Sequence, residues 1–314
     1  MNNLKKVGLT ALAGALVSVS ANAAEVSVSG GAKLTFTGQE KNTQGNGWSM
    51  TDGLTFSASG EMDNGWNVSV SQIIDSSDGA AGAIMDTRIL TIDMGDSGTL
   101  TFAGDGGSSV LDAIDDVTPT ANEESFDDVT GADVIPGGTG GNNMFHYSNG
   151  SLMDGLTVSA SYTPSDGTTQ VESSSDYGIK FTGIEGLTIG AAAGEDNTAA
   201  ASLDLTNMYV TYTMDAFSVG YQTSESDSET ADADLDYTAI GVSYAVSDEM
   251  SISLNSSEIQ YENSSLSDQE ATGISVSYVM GSMTVSANHN TVDNIAGTST
   301  DDRSGYAIGL SFAF

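Results

Sequence analysis

The sequence predicts an all-β protein, a transmembrane antiparallel up-and-down β-barrel of sixteen strands, on three observations. Apolar and small polar residues alternate at period two along nearly the whole chain beyond its first two dozen residues, as strands with unlike faces do. The polar face is mostly Ser, Thr, Gly and Ala rather than the Lys and Glu of a soluble sheet, and charge gathers between strands. Connections alternate between short and long. A bilayer tolerates no open sheet edge, so the strands must close.

The N-terminus reads as a leader. Lys5 and Lys6 precede an apolar stretch from Val7 to Val19, and Ala21-Asn22-Ala23 fits a small-residue cleavage pattern. A signal peptide over residues 1–23, cleaved after Ala23, and a single barrel domain over 24–314 are expected. The leader's apolar stretch is too short to span a bilayer, and no later segment approaches the ~18 apolar residues of a transmembrane helix.

The strands follow in order. Val26, Val28, Gly30, Ala32, Leu34 and Phe36 oppose Ser27, Ser29, Gly31, Lys33 and Thr35. Leu156, Val158, Ala160 and Tyr162 oppose Thr157, Ser159, Ser161 and Thr163, and Tyr306, Ile308, Leu310, Phe312 and Phe314 close the chain in the same way. Short turns are expected at Asp63-Asn64-Gly65, Asp96-Ser97-Gly98, Asp154-Gly155, Glu185-Gly186, Asp215-Ala216, Ser247-Asp248 and Gly281-Ser282, several of them sites where φ > 0 is cheap. Between them lie longer polar stretches near 38–47, 75–83, 104–142, 164–175, 193–202, 224–235, 256–270 and 288–303. Seven short turns and eight long loops make sixteen strands, each of about 9–11 residues if hydrocarbon thickness sets their length. Trp48, Trp66, Tyr162, Tyr177, Tyr221, Tyr244 and Tyr278 sit near strand ends, as an interfacial girdle requires.

Charge excludes one class of partner. Seven basic residues face 43 acidic ones, and the leader removes Lys5 and Lys6. Nucleic acid binding needs phosphate-neutralising Lys and Arg that this chain lacks. High charge with few aromatics also marks disorder, but the regular alternation contradicts it. There is no cysteine.

Three places resemble the Gram-negative outer-membrane general porins. Arg88-Ile89-Leu90-Thr91-Ile92-Asp93-Met94-Gly95-Asp96-Ser97-Gly98-Thr99-Leu100-Thr101 resembles their fourth-to-fifth-strand hairpin. Asn143-Met144-Phe145-His146-Tyr147-Ser148 resembles the strand after their long third loop, and terminal Phe314 resembles the phenylalanine they present to the barrel-assembly machinery. The resemblance implies a trimeric diffusion porin of sixteen strands, set in outer-membrane lipid and lipopolysaccharide, with its third loop folded inward. Two departures stand out: His146 occupies a place where the family has arginine, and Gly104-Asp105 stands where the family often has Gly-Arg. The basic half of the familiar constriction is largely missing.

Candidate site residues follow from that loop. Asp105, Asp112, Asp115, Asp116, Glu123, Glu124, Asp127, Asp128 and Asp133 lie between Gly104 and Asn142 without one basic residue. Inside a barrel they would concentrate cations and repel anions. Ser109 to Ile114 is expected to form one helical turn against the wall. Lys33 and Lys180 share the small polar face and are expected on the pore wall, because a charge facing mid-bilayer costs roughly 2–4 kcal/mol. His146 is expected there too. Arg88 shares parity with Leu90 and Ile92, so it needs an intervening bulge or snorkels at the interface; the resemblance implies the lumen. Lys41 and Arg303 read as loop residues.

Catalysis finds no support: neither His146 nor His289 is accompanied by a nucleophile elbow or oxyanion sequence. No cofactor and no defined metal site are expected. Asp232, Asp234 and Asp236 begin like a calcium loop, but Tyr237 and Ser243 replace its glycine and glutamate. Loose Ca2+ or Mg2+ association with the acidic loops is expected from oxygen-ligand chemistry. The alternative to a cation-preferring diffusion channel is an exported acidic β-rich adhesin or surface-layer protein that works through calcium.

Overall fold

The computed structural model describes residues 25–41, 47–75, 85–133, 137–138, 141–165, 172–197 and 202–314. The expected leader and its cleavage point after Ala23 lie outside these residues, as does most of the expected loop at 75–83. Sixteen strands run in chain order: β1 (Glu25–Gln39), β2 (Gly47–Glu61), β3 (Asn67–Asp75), β4 (Met85–Asp93), β5 (Thr99–Asp105), β6 (Met144–Met153), β7 (Leu156–Thr163) and β8 (Ser174–Ile184). They continue with β9 (Leu187–Asp196), β10 (Leu203–Met214), β11 (Phe217–Ser228), β12 (Leu235–Ala245), β13 (Met250–Tyr261), β14 (Gln269–Met280), β15 (Met283–Asp293) and β16 (Arg303–Ala313). Each pairs antiparallel with its sequence neighbours, and β1 pairs with β16, so the sheet is a closed barrel. At the seam, Gly30 and Phe314 exchange backbone hydrogen bonds of 2.8 and 2.9 Å.

All seven expected short turns are present. Gly155 and Gly186 carry φ of 72° and 74°, and a Cβ at either would collide with the neighbouring strand, so glycine is required at both. Asp215 adopts φ 52° in the corresponding place, a conformation Asp tolerates better than most residues.

Several strands outrun the expected length. β11 reaches Ser228, β13 reaches Tyr261 and β15 reaches Asp293, and β1 and β2 each span 15 residues. Hydrocarbon thickness limits the apolar band, but backbone pairing continues into the polar, loop-side rim. There the outward residues turn acidic, as in Glu258, Glu270 and Asp293 on neighbouring strands.

The two faces divide as the alternation requires. Val26, Met50, Phe56, Ile179, Met208, Leu254, Ile274 and Phe312 are all exposed on the outer face. Trp48, Tyr162 and Tyr177 lie near the long-loop end and Trp66, Tyr244 and Tyr278 near the short-turn end, all exposed, forming two girdles. The inner rows hold buried Ser161, Asn207, Gln222, Ser253, Asn255, Ser275, Asn288 and Asn290.

One core departs from simple alternation. Phe126 and Val129 of the connection between β5 and β6 pack with Tyr237, Ala239, Ile259, Ala271, Val292 and Ile295. A second, smaller cluster joins Val110 and Leu111 to Ala192 and Leu205. These apolar residues occupy inner positions near the long-loop end, and the connection excludes water from them.

Candidate functional site

The connection 106–143 is closed at its stem. Gly107 and Gly141 exchange backbone hydrogen bonds of 2.9 and 2.7 Å. The expected turn follows: Ala113 N–H donates to Ser109 O (3.1 Å) and Ile114 N–H to Leu111 O (3.0 Å), with a 3-10 turn over Asp112–Ile114. Asp112 Oδ2 accepts from Ser109 N–H at 3.0 Å while Ser109 Oγ accepts from Asp112 N–H at 3.2 Å, a reciprocal pair that fixes the turn's start.

From there the connection is tied to inner-row side chains, strand after strand. Ser161 Oγ on β7 accepts Val110 N–H at 2.9 Å, and Asp176 Oδ2 on β8 accepts Leu111 N–H at 3.0 Å. Ser161 in turn donates to the other oxygen of Asp176. Asn207 on β10 donates to Ile114 O (2.9 Å), and Gln222 on β11 donates to Asp115 O (2.5 Å) while accepting Val117 N–H (3.1 Å). Asn255 and Ser253 on β13 hold Pro119 O (3.1 Å) and Ala121 N–H (2.9 Å). Asn290 on β15 donates to both Glu124 O and Asp127 O at 2.8 Å. Gln269 on β14 brackets Asp133 with bonds of 2.8 and 2.9 Å, and Gln39 on β1 accepts Thr130 N–H at 3.0 Å. Neutral amides thus satisfy loop backbone groups that would otherwise be buried without partners.

The nine acidic candidates separate by role. Asp105 ends β5 and is wall rather than loop. Asp112 fixes the turn. Asp128 accepts from Asn288 (2.8 Å), and Asp133 accepts from the Tyr261 hydroxyl (2.6 Å). Glu123 pairs with Lys33 Nζ of β1 at 2.7 Å. Burial, with repulsion from Asp116 and then Asp112, pushes the Asp115 carboxyl up to about 7. Burial, a hydrogen bond to Asp127 and the charge of Asp127 push Glu124 up to about 8; burial raises Asp127 as well. Glu123, Glu124 and Asp127 each bring a carboxylate oxygen within 4.8 Å of the others.

The basic candidates fall on both faces. Lys33 pairs in register with Thr51 and Ser311, and Lys180 with Thr157 and Gly190, all inner positions. His146 stands between Thr101 and Ser161 in the inner row, with Nδ1 3.4 Å from Ser108 O. A bulge does occur beside Arg88, but its extra residue is Gly104 on β5. Arg88 keeps the face of Leu90, lies opposite Gln72 and donates to Gly104 O at 3.2 Å. That register places it in the outer rows, unlike the lumenal place the resemblance implied. Arg303 pairs with Asp301 at 2.6 Å, and that hydrogen bond holds the Asp301 carboxyl below its usual range.

Asp176 and the seven inner amides, Asn288 among them, were not singled out from the sequence. The available signal was an acidic residue inside the small-residue row Ser174, Asp176, Gly178, Lys180, where charge otherwise keeps to loops.

An edge-free sheet with a greasy exterior, two aromatic girdles and a polar interior crossed by hydrogen bonds to a long loop is a membrane-spanning channel barrel. Residues 8–263 match the family model of the Gram-negative porins. The chain belongs to that family, and its place is the outer membrane. No curated protein sequence matches it. Among solved structures, it is similar to the anion-selective porin from Comamonas acidovorans at 13% identity and TM-score 0.75, covering 93% of this chain and 100% of that one. A loop-deleted OmpT of Vibrio cholerae gives 16% and 0.71 over 93% and 100%, and a Rh. blastica porin mutant 15% and 0.69 over 92% and 100%. At these identities the likeness shows the fold alone, and the anion selectivity in the Comamonas protein's name stays with that protein.

Proposed function

We propose that this outer-membrane porin passes small hydrophilic solutes and ions by diffusion, that connection 106–143 lies across its lumen, and that the resulting constriction favours cations. The observation that carries this reading is the run of loop-to-wall hydrogen bonds from Ser161 on β7 round to Gln39 on β1. In this reading Asp115, Asp116, Glu123, Glu124, Asp127 and Asp128 gather inside low-dielectric walls, where their field is focused. Asp112 and Asp133 add to the same field from the edges, whereas Asp105, the register partner of Arg88, is left out of it. Lys33, His146 and Lys180 are the proposed pore-wall counterweights, and the register leaves Arg88 out.

Reversal potentials under a salt gradient in a planar bilayer test it. Cations are expected to permeate in preference, with the preference fading at high salt as screening shortens the reach of each charge. Neutralising Asp115, Asp116, Asp127 and Asp128 together is expected to reduce the preference; an unchanged reversal potential would remove the loop from the conduction path.

The same proposal includes a leader removed after Ala23, Phe314 as the end presented to the assembly machinery, and contact with outer-membrane lipid and lipopolysaccharide. A homotrimer fits the OmpT trimer form of Vibrio cholerae among the similar structures. Calcium or magnesium associates loosely with the acidic loops in this reading, without a dedicated site; a melting temperature unmoved by chelator would count against it. The family is one of channels rather than enzymes, and it disfavours the calcium-dependent adhesin.

A further inference from the structure

Between the loop's first turn and the inner wall of β6–β10 lies a cavity of about 290 Å³. Val110, Ala113 and Ile114 of the loop line one side, and Lys180, His146 and Tyr209 of the wall line the other. Hydroxyls of Ser148, Thr157 and Ser159 lie between them. The cavity is therefore mostly apolar with a polar side on the wall, and its charged wall residue is a cation.

Lys180 is free to act there. Lys33 is occupied by Glu123 and Arg303 by Asp301, whereas Lys180 has no carboxylate within 4.0 Å among the described residues. Two acids of this region are engaged elsewhere: Asp176 holds Leu111 N–H and Ser161, and Asp112 holds Ser109 N–H. Tyr209 completes the arrangement. Gly190, the cross-strand partner of both Lys180 and Tyr209, has no side chain, so the phenol end of Tyr209 lies over it. No hydrogen bond to that hydroxyl is formed among the described residues.

We propose that this cavity binds a small organic carboxylate with an apolar body. The carboxylate meets Lys180 Nζ, with the Tyr209 hydroxyl and the wall hydroxyls as further donors, and the body lies beneath Val110 and Ile114. A charge-assisted pair supplies orientation and the apolar roof supplies burial, the usual division of labour in a small-molecule site. Chloride and acetate gain only the first of these contributions. The inference rests on the channel reading, since the ligand reaches the cavity through the lumen.

Single-channel currents of the mature protein in a planar bilayer, with benzoate as probe and acetate as control, provide the test. Benzoate is expected to reduce the current saturably, and acetate is not. Lys180→Gln is expected to weaken the benzoate effect about tenfold or more, the scale of losing a charge-assisted contact, while Lys180→Arg retains it. No benzoate effect on a conducting wild-type channel, or an equal effect on wild type and Lys180→Gln, overturns the inference and leaves the channel reading standing. A wild-type protein that inserts but does not conduct overturns the channel reading instead, and the inference with it.

Discussion

Strands β10–β15 and strands β1–β4 follow the same two-residue rhythm, yet their inner rows live in different surroundings. Along β10, β11 and β13, the inner residues of the middle stretch are buried and the outer ones mostly exposed. Along β2 and β3 no residue is buried on either face. The difference is the loop. It bonds to Asn207, Gln222, Asn255, Asn288 and Asn290 on one wall, whereas on β1 it meets Lys33 and Gln39. Alternation therefore specifies which side chains point inward, while packing against the loop decides which of them lose water. In the proposed channel, the open passage borders β2 and β3.

The largest expected effect comes from removing the amide mounts. Gln222→Leu with Asn290→Leu leaves the carbonyls of Asp115 and Asp127 without donors and Val117 N–H without its acceptor, and takes one of two donors from Ile114 O and Glu124 O. Each orphaned buried group costs roughly 1–3 kcal/mol. The loop is expected to lose its fixed position, seen as altered conductance with enlarged current noise and as faster proteolysis within 106–143. A loop equally protected in the double variant would show that Phe126, Val129 and the remaining mounts hold it without these two amides.

Next in size is the response to pH. Glu124 rises from 4.5 to about 8 and Asp115 from 3.8 to about 7. The folded state therefore binds more protons than the unfolded state across these intervals, and stability falls as pH rises from about 4 through 8. Cation preference moves the opposite way, growing as the two carboxyls ionise. Denaturant midpoints and reversal potentials measured from pH 5 to pH 9 check both signs; a flat profile in each would place these groups in open water.

The smallest effect belongs to Lys33→Gln. The Lys33–Glu123 pair is about one-third exposed on each side, and such pairs contribute roughly 0–1 kcal/mol. A slight gain in cation preference without a measurable change in melting is expected. A large change in melting would make this ion pair, rather than the amides, the main mount.

The wall was largely legible in the sequence. Turn signals at Gly65, Gly98, Gly155, Gly186 and Gly281 and the polarity of the intervals sufficed to count strands, because period-two geometry is local. The mounts were not legible. Asn207 or Asn290 on a polar face looks like any lumen residue, and only the tertiary course of a loop some 80–170 positions away gives it a carbonyl to hold. Tyr237, Ile259 and Val292 carried a weak signal, since they are bulky apolar residues on what is otherwise the polar parity near the long-loop end. Arg88 was ambiguous for a similar reason: the bulge that the parity argument required exists, but it belongs to the partner strand.

The seam between β1 and β16 constrains how this chain can be made. Thr35 finds Gly309 across it, so the hydrogen bonds that finish the cylinder join residues from opposite ends of the polypeptide. A partly synthesised chain has two unsatisfied edges, each a template for pairing with another copy, until the last eleven-residue strand arrives. Sealing therefore needs both of these strands at once, and a truncation that removes β16 leaves two open edges rather than a smaller pore.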